Sequence, residues 1–297
     1  MGHFVCFDRL GGSSKKEREN GMRSHGEAAY VEWRLLSGPE HRNGAVTISM
    51  SCELPMARMR LTRTMRLLDD FPVFVVHEEI ENIGMLGRIY NMVQHPTIGG
   101  AFLDNTLLID SNAGKGFYLG TPYPELGEPV INWPHFVYES RLVDIRRVEK
   151  DHMPGVVNFI FDDDSSIGWV SACSRSGGLM IGYVWKAEEY PWLRIWRANK
   201  DGNPTARGLE FGTTPLPLPF GQLLEKGPML DRPVYQYLDA GERVTRSYAA
   251  FLAEIPDDFA GVESLSCDSN GINLRESAGQ SARTVTIRSD VLSALSE

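Results

Sequence analysis

Apolar and polar side chains alternate with a period of two along much of this chain. In Ala45–Leu54 every second residue from Val46 onwards is apolar, and the residues between them are Thr, Ser or Glu. After a break at Pro55 the alternation resumes in Met59–Leu67, with Arg and Thr on the polar side. Because successive side chains of a strand point to opposite faces, the two runs predict an antiparallel hairpin with one buried face.

Further apolar runs predict more strands and almost no helix. They are Val73–Ile80, Arg88–Val93, Thr106–Ile109, Val156–Phe161, Ile167–Ala172, Leu179–Trp185 and Val244–Leu252. The segment Asp162–Ser165 is expected to form a hairpin turn, since Asp tolerates tight-turn geometry. Helical candidates are limited to Glu17–Gly21 and the last eight residues. With 29 Gly and 17 Pro between many strands, the chain is expected to be a large antiparallel β-sandwich with few short helices, below about 15% helix.

We expect the chain to form a single domain that spans residues 1–297. No internal repeat or obvious linker divides it, and all-β domains often reach this size. The segment Asp268–Glu297 is rich in Ser, Gly and Asn and is predicted to be a peripheral tail, in which Arg283–Ile287 forms an edge strand.

Composition narrows the classes of partner. Thirty basic and 39 acidic residues give a net charge of −9, which disfavours nucleic acid and anionic membranes as partners. There is no apolar run of membrane-spanning length, and the first residues lack the pattern of a secretory signal. The four cysteines have neither zinc-site nor disulfide-framework spacing, so we expect reduced, mostly buried thiols in a cytoplasmic protein. The oligomeric state is not predicted.

Three residues are the main candidates for chemistry. His25 precedes a glycine, which lets another group approach the backbone closely. His95 follows an apolar run and precedes Pro96, so its ring is expected to project at the end of a strand. Glu210 lies between apolar residues and glycines, where a charged surface residue would be unusual. A lone histidine is more often a surface or packing residue than a catalytic one.

Aromatic side chains and one arginine are candidates for binding. Trp192 and Trp196 lie in an aromatic cluster upstream of Glu210, and Trp133 lies in a proline-constrained loop. Flat rings stack on the C–H faces of sugars, so at least one of the three is expected to line a sugar cleft, although all could be core residues. Arg63 falls on the apolar side of its strand and is expected either to pair with a carboxylate or to line the pocket.

These motifs occur in an order that resembles the aldose 1-epimerase, or galactose mutarotase-like, superfamily. The first motif is SHGEA, which contains His25. The second consists of RTMRLLDDFPVFVVHEEIENIG followed by YNMVQHPTIGGAFLD, which contains His95. The third is YPWLRIWRANKDGNPTARGLEFGTTPLPLP, which contains Glu210. The resemblance covers about residues 3–255 and implies the supersandwich fold of that superfamily. It also implies that His25 binds and orients a sugar, that His95 is a general acid and that Glu210 is a general base.

The chain departs from that pattern in three places. Pro96-Thr97 replaces the aromatic pair that follows the second histidine in the epimerases, and the acidic residue that binds sugar hydroxyls has no identifiable counterpart. The first strands of the superfamily are also expected to be missing, because the chain opens close to the first histidine motif.

Anomer interconversion would require a carboxylate and an imidazole on opposite sides of the anomeric centre. We therefore expect His25, His95 and Glu210 to converge, with His95 and Glu210 far enough apart to flank a pyranose ring. Burial is expected to raise the pKa of Glu210. The reaction would need a small carbohydrate and no metal or organic cofactor.

Other functions remain open at this stage. The fold could serve a non-catalytic sugar sensor, or His25, His95 and Glu210 could be metal ligands of a β-barrel enzyme. A glycoside hydrolase or lyase would need a second carboxylate to act with Glu210.

Overall fold

The structure is a computed structural model that describes residues 2–119, 131–149, 155–269, 271–277 and 282–288. Strands make up 58% of these residues and helices 6%, which confirms the prediction of an all-β chain with little helix. The strands form two large sheets and a small third one. Within the described ranges, no helix is long and apolar enough to cross a membrane.

One large sheet has eight strands and contains the predicted hairpin. Its strands, in spatial order, are β2 (Arg34–Arg42), β3 (Ala45–Leu54), β4 (Met59–Leu68), β5 (Val73–Asn82), β18 (Arg243–Glu254), β14 (Leu179–Lys186), β13 (Ile167–Ser174) and β7 (Leu108–Ser111). β3 and β4 pair without a bulge, from Ala45 opposite Leu68 to Leu54 opposite Met59. The period-two alternation therefore predicted both the strands and their partnership.

The other large sheet has ten strands and carries the candidate site. In spatial order they are β1 (His3–Asp8), β6 (Arg88–Gly99), β16 (Asn203–Gly212), β15 (Trp192–Lys200), β12 (Gly155–Phe161), β8 (Ala113–Leu119), β9 (Ile131–Asn132), β10 (His135–Tyr138) and β11 (Arg141–Asp144), with β17 (Gln236–Leu238) also paired to β6. All pairings in this sheet are antiparallel.

The turn at Asp162–Ser165 does not close a hairpin, contrary to the prediction. It connects β12 of the ten-stranded sheet to β13 of the eight-stranded sheet. Each of the two strands pairs with strands from elsewhere in the chain. Local turn chemistry indicates that the chain reverses, but not which strand becomes the partner.

The main core lies between the two large sheets, and one face of each strand supplies it. On β12, β15 and β16 the odd-numbered positions face inward, and Phe159, Leu193, Ile195, Leu209 and Phe211 are buried there. The even-numbered positions of the same strands consequently face away from the core. This alternation places Arg194, Trp196 and Glu210 together on the outer face of the ten-stranded sheet.

A third sheet covers the outer face of the eight-stranded sheet. It consists of β19 (Val262–Asp268), β20 (Gly271–Glu276) and β21 (Thr284–Arg288), and β21 is the predicted edge strand. Its buried residues Leu265, Ile272 and Ile287 belong to the same apolar cluster as Phe251 of β18. The described part of the predicted tail therefore contributes two strands, while the single-domain organisation stays a prediction.

Two short helices lie at the edges of the fold. α1 (Lys15–Glu19) begins two residues before the predicted helix, because Ser14 and Glu17 form a capping box that satisfies free N–H groups at its start. α2 (Phe220–Lys226) was not predicted, and its Leu223 is buried beside Trp192. The helix predicted in the last eight residues lies outside the described residues.

The four cysteines are free thiols, as predicted. Cys6, Cys52 and Cys173 are buried and Cys267 is partly buried.

Candidate functional site

The candidate site is built on a row of side chains that crosses the ten-stranded sheet. Phe4 of β1 lies opposite His95 of β6, and Glu210 of β16 lies opposite Arg194 of β15. Asn158 of β12 continues the row opposite Arg194. Because the register aligns these positions on the outward face, five strands contribute one side chain each to a single cluster.

His95 and Glu210 are in direct contact. Nε2 of His95 lies 3.0 Å from Oε1 of Glu210, and Glu210 is only 1% exposed. The expectation that these two residues flank a pyranose ring is therefore wrong, because no sugar ring fits between atoms at hydrogen-bonding distance. A sugar would instead have to approach the pair from one side.

Glu210 is also held by a guanidinium group. Nη1 of Arg194 donates to its Oε2, and Nε of Arg194 donates to Oδ1 of Asn158 at 3.1 Å and to the carbonyl of Pro215 at 3.3 Å. Burial acts to raise the pKa of Glu210, but the nearby Arg194 charge and the hydrogen bond from His95 outweigh it and lower that pKa below its ordinary value. The predicted rise was wrong because Arg194 had not been recognised as a neighbour.

Phe4, Arg194 and Asn158 are the residues of this row that sequence reasoning missed. One signal was available for Arg194: Trp192, Arg194 and Trp196 alternate with Leu193 and Ile195, which identifies an outward row on a strand. Asn158 carries no comparable signal, since it interrupts an otherwise apolar run.

His25 reaches the cluster from a loop rather than a strand. Its ring centroid is 5.9 Å from that of His95, with the rings nearly perpendicular. The N–H of Gly11 donates to Nδ1 of His25 at 3.4 Å, and Cys6 Sγ lies 3.3 Å from the same nitrogen. Burial, followed by the neighbouring His95, lowers the pKa of His25. Neutral His25 therefore carries its proton on Nε2, which leaves Nε2–H as a donor.

The glycine after His25 is required by the close packing of this loop on β1. Gly26 has a φ of +83°, and a Cβ at this position would lie 2.3 Å from the carbonyl oxygen of Phe7. The close approach that the sequence predicted is thus to the protein's own strand. It fixes the loop and hence the position of His25.

Aromatic rings border the two histidines. Phe4 stacks on His95 with centroids 4.6 Å apart and makes an edge contact with His25 at 5.9 Å. Trp196 lies 5.8 Å from the His95 ring and is partly exposed. Of the three tryptophans proposed to bind sugar, Trp196 is the one that the structure brings to the cluster.

The other predicted binding residues lie elsewhere. Trp192 is fully buried and its Nε1 donates to the carbonyl of Pro233 at 2.8 Å, so it is not accessible to a ligand. Trp133 packs edge-on against the core residue Phe159.

Arg63 pairs with a carboxylate, one of its two predicted alternatives. Its Nε donates to Oε1 of the buried Glu78 at 2.8 Å, in the eight-stranded sheet. It therefore lies in the other sheet from the row at Glu210.

The contacts of Glu210 also determine whether this cluster could bind a metal ion. Among the described residues, no group of three or more His, Cys, Asp or Glu side chains could hold a metal ion. The guanidinium of Arg194 occupies the carboxylate oxygen of Glu210 that a cation would need, and its positive charge would repel one.

The Thr97 hydroxyl contacts His95 at Nδ1, the ring nitrogen that does not face Glu210. Its Oγ1 lies 3.1 Å from Nδ1 of His95 and 3.5 Å from the carbonyl oxygen of His95. Because ionised Glu210 can only accept, Nε2 of His95 is the donor in their contact. The Thr97 hydroxyl can then donate to Nδ1 of neutral His95. If His95 is protonated, the hydroxyl can accept from Nδ1–H and turn its own hydrogen to the carbonyl.

Replacing Thr97 by Val is expected to weaken control of the His95 tautomer while preserving side-chain shape. Loss of one hydrogen bond corresponds to about 0.5–1.5 kcal/mol, or up to about tenfold in any rate that depends on His95. The nitrogen chemical shifts of the His95 ring, measured by NMR across pH, report the change, and Thr97→Ser should restore the wild-type values. Identical shifts in wild type and Thr97→Val would contradict this role.

Among known proteins, similarity to this chain was found only in solved structures. No protein-family model matches the chain, and no curated protein matches it in sequence. A galactose mutarotase-like protein from Clostridium acetobutylicum superposes with a TM-score of 0.60 at 12% identity, over 82% of this chain and 72% of that one. A galactose mutarotase related enzyme from Lactobacillus acidophilus gives 0.58 at 11% identity, over 86% of this chain and 84% of that one.

A third similar structure is a candidate aldose 1-epimerase from Klebsiella pneumoniae. Its TM-score is 0.55 at 14% identity, over 78% of this chain. This chain spans only 58% of that protein's length. At such low identities the comparisons establish the architecture alone: the chain has the supersandwich fold of galactose mutarotase-like proteins.

Proposed function

We propose that the protein binds a reducing carbohydrate and interconverts its anomers by general acid–base catalysis. The observation that carries this proposal is the meeting of His25, His95 and Glu210, which come from a loop and two strands far apart in sequence. The fold similarity to galactose mutarotase-like structures supports the same activity class.

The proposed reaction starts with His95 protonated and Glu210 ionised. Glu210 accepts the proton of the sugar O1 hydroxyl while Nε2–H of His95 protonates the ring oxygen. The C1–O5 bond breaks, the aldehyde forms, and rotation about C1–C2 precedes ring closure with the roles reversed. A carboxylate has about four acceptor positions, so Glu210 can receive this proton while it remains bound to Arg194.

Ring closure itself restores the pair. After ring opening, Glu210 carries a proton and Nε2 of His95 has lost one; on closure Glu210 gives its proton to the aldehyde oxygen while Nε2 of His95 takes the proton of the O5 hydroxyl. His95 is then protonated and Glu210 ionised again, and these two groups lie 3.0 Å apart in the free protein. His25, with its Nε2–H free to donate, is proposed to bind a sugar hydroxyl.

The ring environment supports a carbohydrate as the ligand. Phe4 is 38% exposed and stacks on His95, and Trp196 makes an edge contact with the same ring. Aromatic faces next to hydrogen-bonding groups suit the mixed apolar and polar surface of a sugar.

A non-catalytic sugar-binding protein is the second candidate. The observation that favours it is that Glu210 is nearly buried and already accepts from both His95 and Arg194. A carboxylate satisfied in this way could serve only to hold the strands in register.

Measurement of mutarotation separates the two candidates. A library of reducing sugars is first screened for thermal stabilisation, since a ligand that binds the native state raises the unfolding temperature. Freshly dissolved α-anomers of the stabilising sugars are then followed by polarimetry. Approach to equilibrium faster than the spontaneous rate is expected for the enzyme. Binding without acceleration would instead identify a sugar-binding protein.

A further inference from the structure

A cavity of about 700 Å³ lies beside the loop that carries His25. It is open to solvent: its lining includes the buried Ser13 and the exposed residues Arg18, Arg23, Ser24 and Tyr30. It is formed by the segment after β1, by α1, which contributes Arg18, and by the segment that follows α1. This cavity has no part in the reaction described above.

The two arginines of the cavity lack carboxylate partners. Arg18 donates to the carbonyl of Ser13, and the guanidinium of Arg23 lies over the ring of Tyr30 at 5.5 Å. Neither of them forms an ion pair with any of the residues that the structure describes.

The nearby carboxylates are occupied by other groups. Glu17 pairs with Arg9 at 3.0 Å and also caps α1. Glu27 accepts from the backbone N–H groups of Met56 and Ala57. Two guanidinium groups without counter-charges therefore share one cavity.

The local charge is opposite to that of the whole chain. Residues 12–30, which span the lining, contain four basic and three acidic side chains, in a protein with a net charge of −9. Concentration of positive charge around a concave surface raises the local concentration of anions.

The cavity and the candidate site share one loop. Ser24 lines the cavity and the next residue is His25. Ser13 Oγ donates to the carbonyls of Met22 and Arg23, and the N–H of His25 donates to the carbonyl of Gly11 at 2.8 Å. An anionic group in the cavity would thus lie next to the residue proposed to bind sugar.

We propose that this cavity binds an anionic oxygen group, phosphate or carboxylate, and that the ligand of the site is an anionic sugar. The guanidinium groups of Arg18 and Arg23 would supply charge-assisted N–H donors to the anion. The link to a sugar rests on the proposed function, whereas the anion site itself does not.

Titration with inorganic phosphate tests the anion site directly. Calorimetry is performed on wild type, on the double variant Arg18→Gln/Arg23→Gln and on Arg42→Gln. The control removes one exposed guanidinium from β2, where Arg42 lies 3.8 Å from Glu40. We expect the double variant to lose at least about tenfold in phosphate affinity, since each charge-assisted hydrogen bond contributes substantially, and the control to lose less than about twofold. Absence of phosphate binding by wild type, or equal losses in both variants, would overturn the proposal.

The ligand class is then separated with three sugars: glucose, glucose 6-phosphate and glucuronate. In wild type at least one anionic sugar is expected to bind more tightly than glucose, and the double variant should lose that advantage while its affinity for glucose is unchanged. Phosphate binding without accelerated mutarotation of any of the three would leave the anion site standing and count against the proposed catalysis. Equal affinity of wild type for all three would refute the anionic-sugar assignment.

Discussion

Glu210→Gln is expected to lower the acceleration of anomer interconversion by about 10²- to 10⁴-fold, the usual contribution of a proton-transfer group. Glutamine keeps an oxygen that can accept from Arg194, but it cannot take the proton of the O1 hydroxyl. Sugar affinity should change much less than the rate. Polarimetry for the rate and thermal stabilisation for binding measure the two effects on the same samples.

Loss of charge at position 210 could also affect folding, so the experiment needs a matched variant. The double variant Arg194→Met/Glu210→Gln removes both charges of the buried pair, and removing both partners costs less than isolating one. If Glu210 is the general base, this variant should be as inactive as Glu210→Gln even when its unfolding temperature matches wild type. Full activity in a well-folded Glu210→Gln protein would refute the assignment of the base.

Arg194→Met is expected to destabilise the fold by about 3–5 kcal/mol at neutral pH, the usual cost of leaving a buried charge without its partner. Arg194 and Glu210 are 3% and 1% exposed, so solvent cannot replace the lost guanidinium. Met approximates the length of the arginine stem and fills irregular space, which limits the packing change. Urea denaturation with a linear extrapolation gives the free energy of unfolding.

The same substitution should reverse the pH dependence that Glu210 contributes to stability. In wild type the folded-state pKa of Glu210 is lowered, so its stabilisation is present above the unfolded pKa and is lost as the pH falls through the folded pKa. Without Arg194, His95 and His25 are the remaining groups that lower the pKa of Glu210, and we expect burial, the largest influence, to outweigh them and raise it. The variant should therefore lose stability as the pH rises from about 4 towards 7.

Unfolding curves at several pH values test this reversal. The double variant Arg194→Met/Glu210→Gln has no titrating group at position 210, so its slope is expected to lie between those of wild type and Arg194→Met. Parallel pH dependence in wild type and Arg194→Met would show that Arg194 does not control the ionisation of Glu210.

Strand identity was predictable wherever one face of a strand is buried and the other is not. β3 and β4 show the alternation clearly in sequence, and their pairing follows from the short break between them. Their burial follows it only in part, since Val46 and Leu67 of the predicted buried face are 38% and 51% exposed. β15 and β16 were not predicted as strands, because aromatic and charged residues on their outward faces obscure the alternation. Those outward residues include Arg194 and Glu210, so two strands of the candidate site were missed, whereas β6, which carries His95, was predicted.

Pairing between strands distant in sequence could not be predicted. The turn at Asp162–Ser165 shows the limit, because its strands lie in different sheets although only a few residues separate them. Which strand becomes a neighbour depends on how the whole set of apolar faces packs, and no local pattern contains that information.

The sequence by itself determined the all-β class, the main hairpin and the three residues His25, His95 and Glu210 as candidates. Only the tertiary structure decided that His95 and Glu210 touch, that Arg194 holds the carboxylate ionised, and that Trp192 belongs to a buried cluster rather than to the candidate site. The reason is physical: alternation sets the face on which a side chain lies, and this can be read along one strand. Contact distances and pKa values depend on which strands lie side by side, which follows from packing of the complete chain.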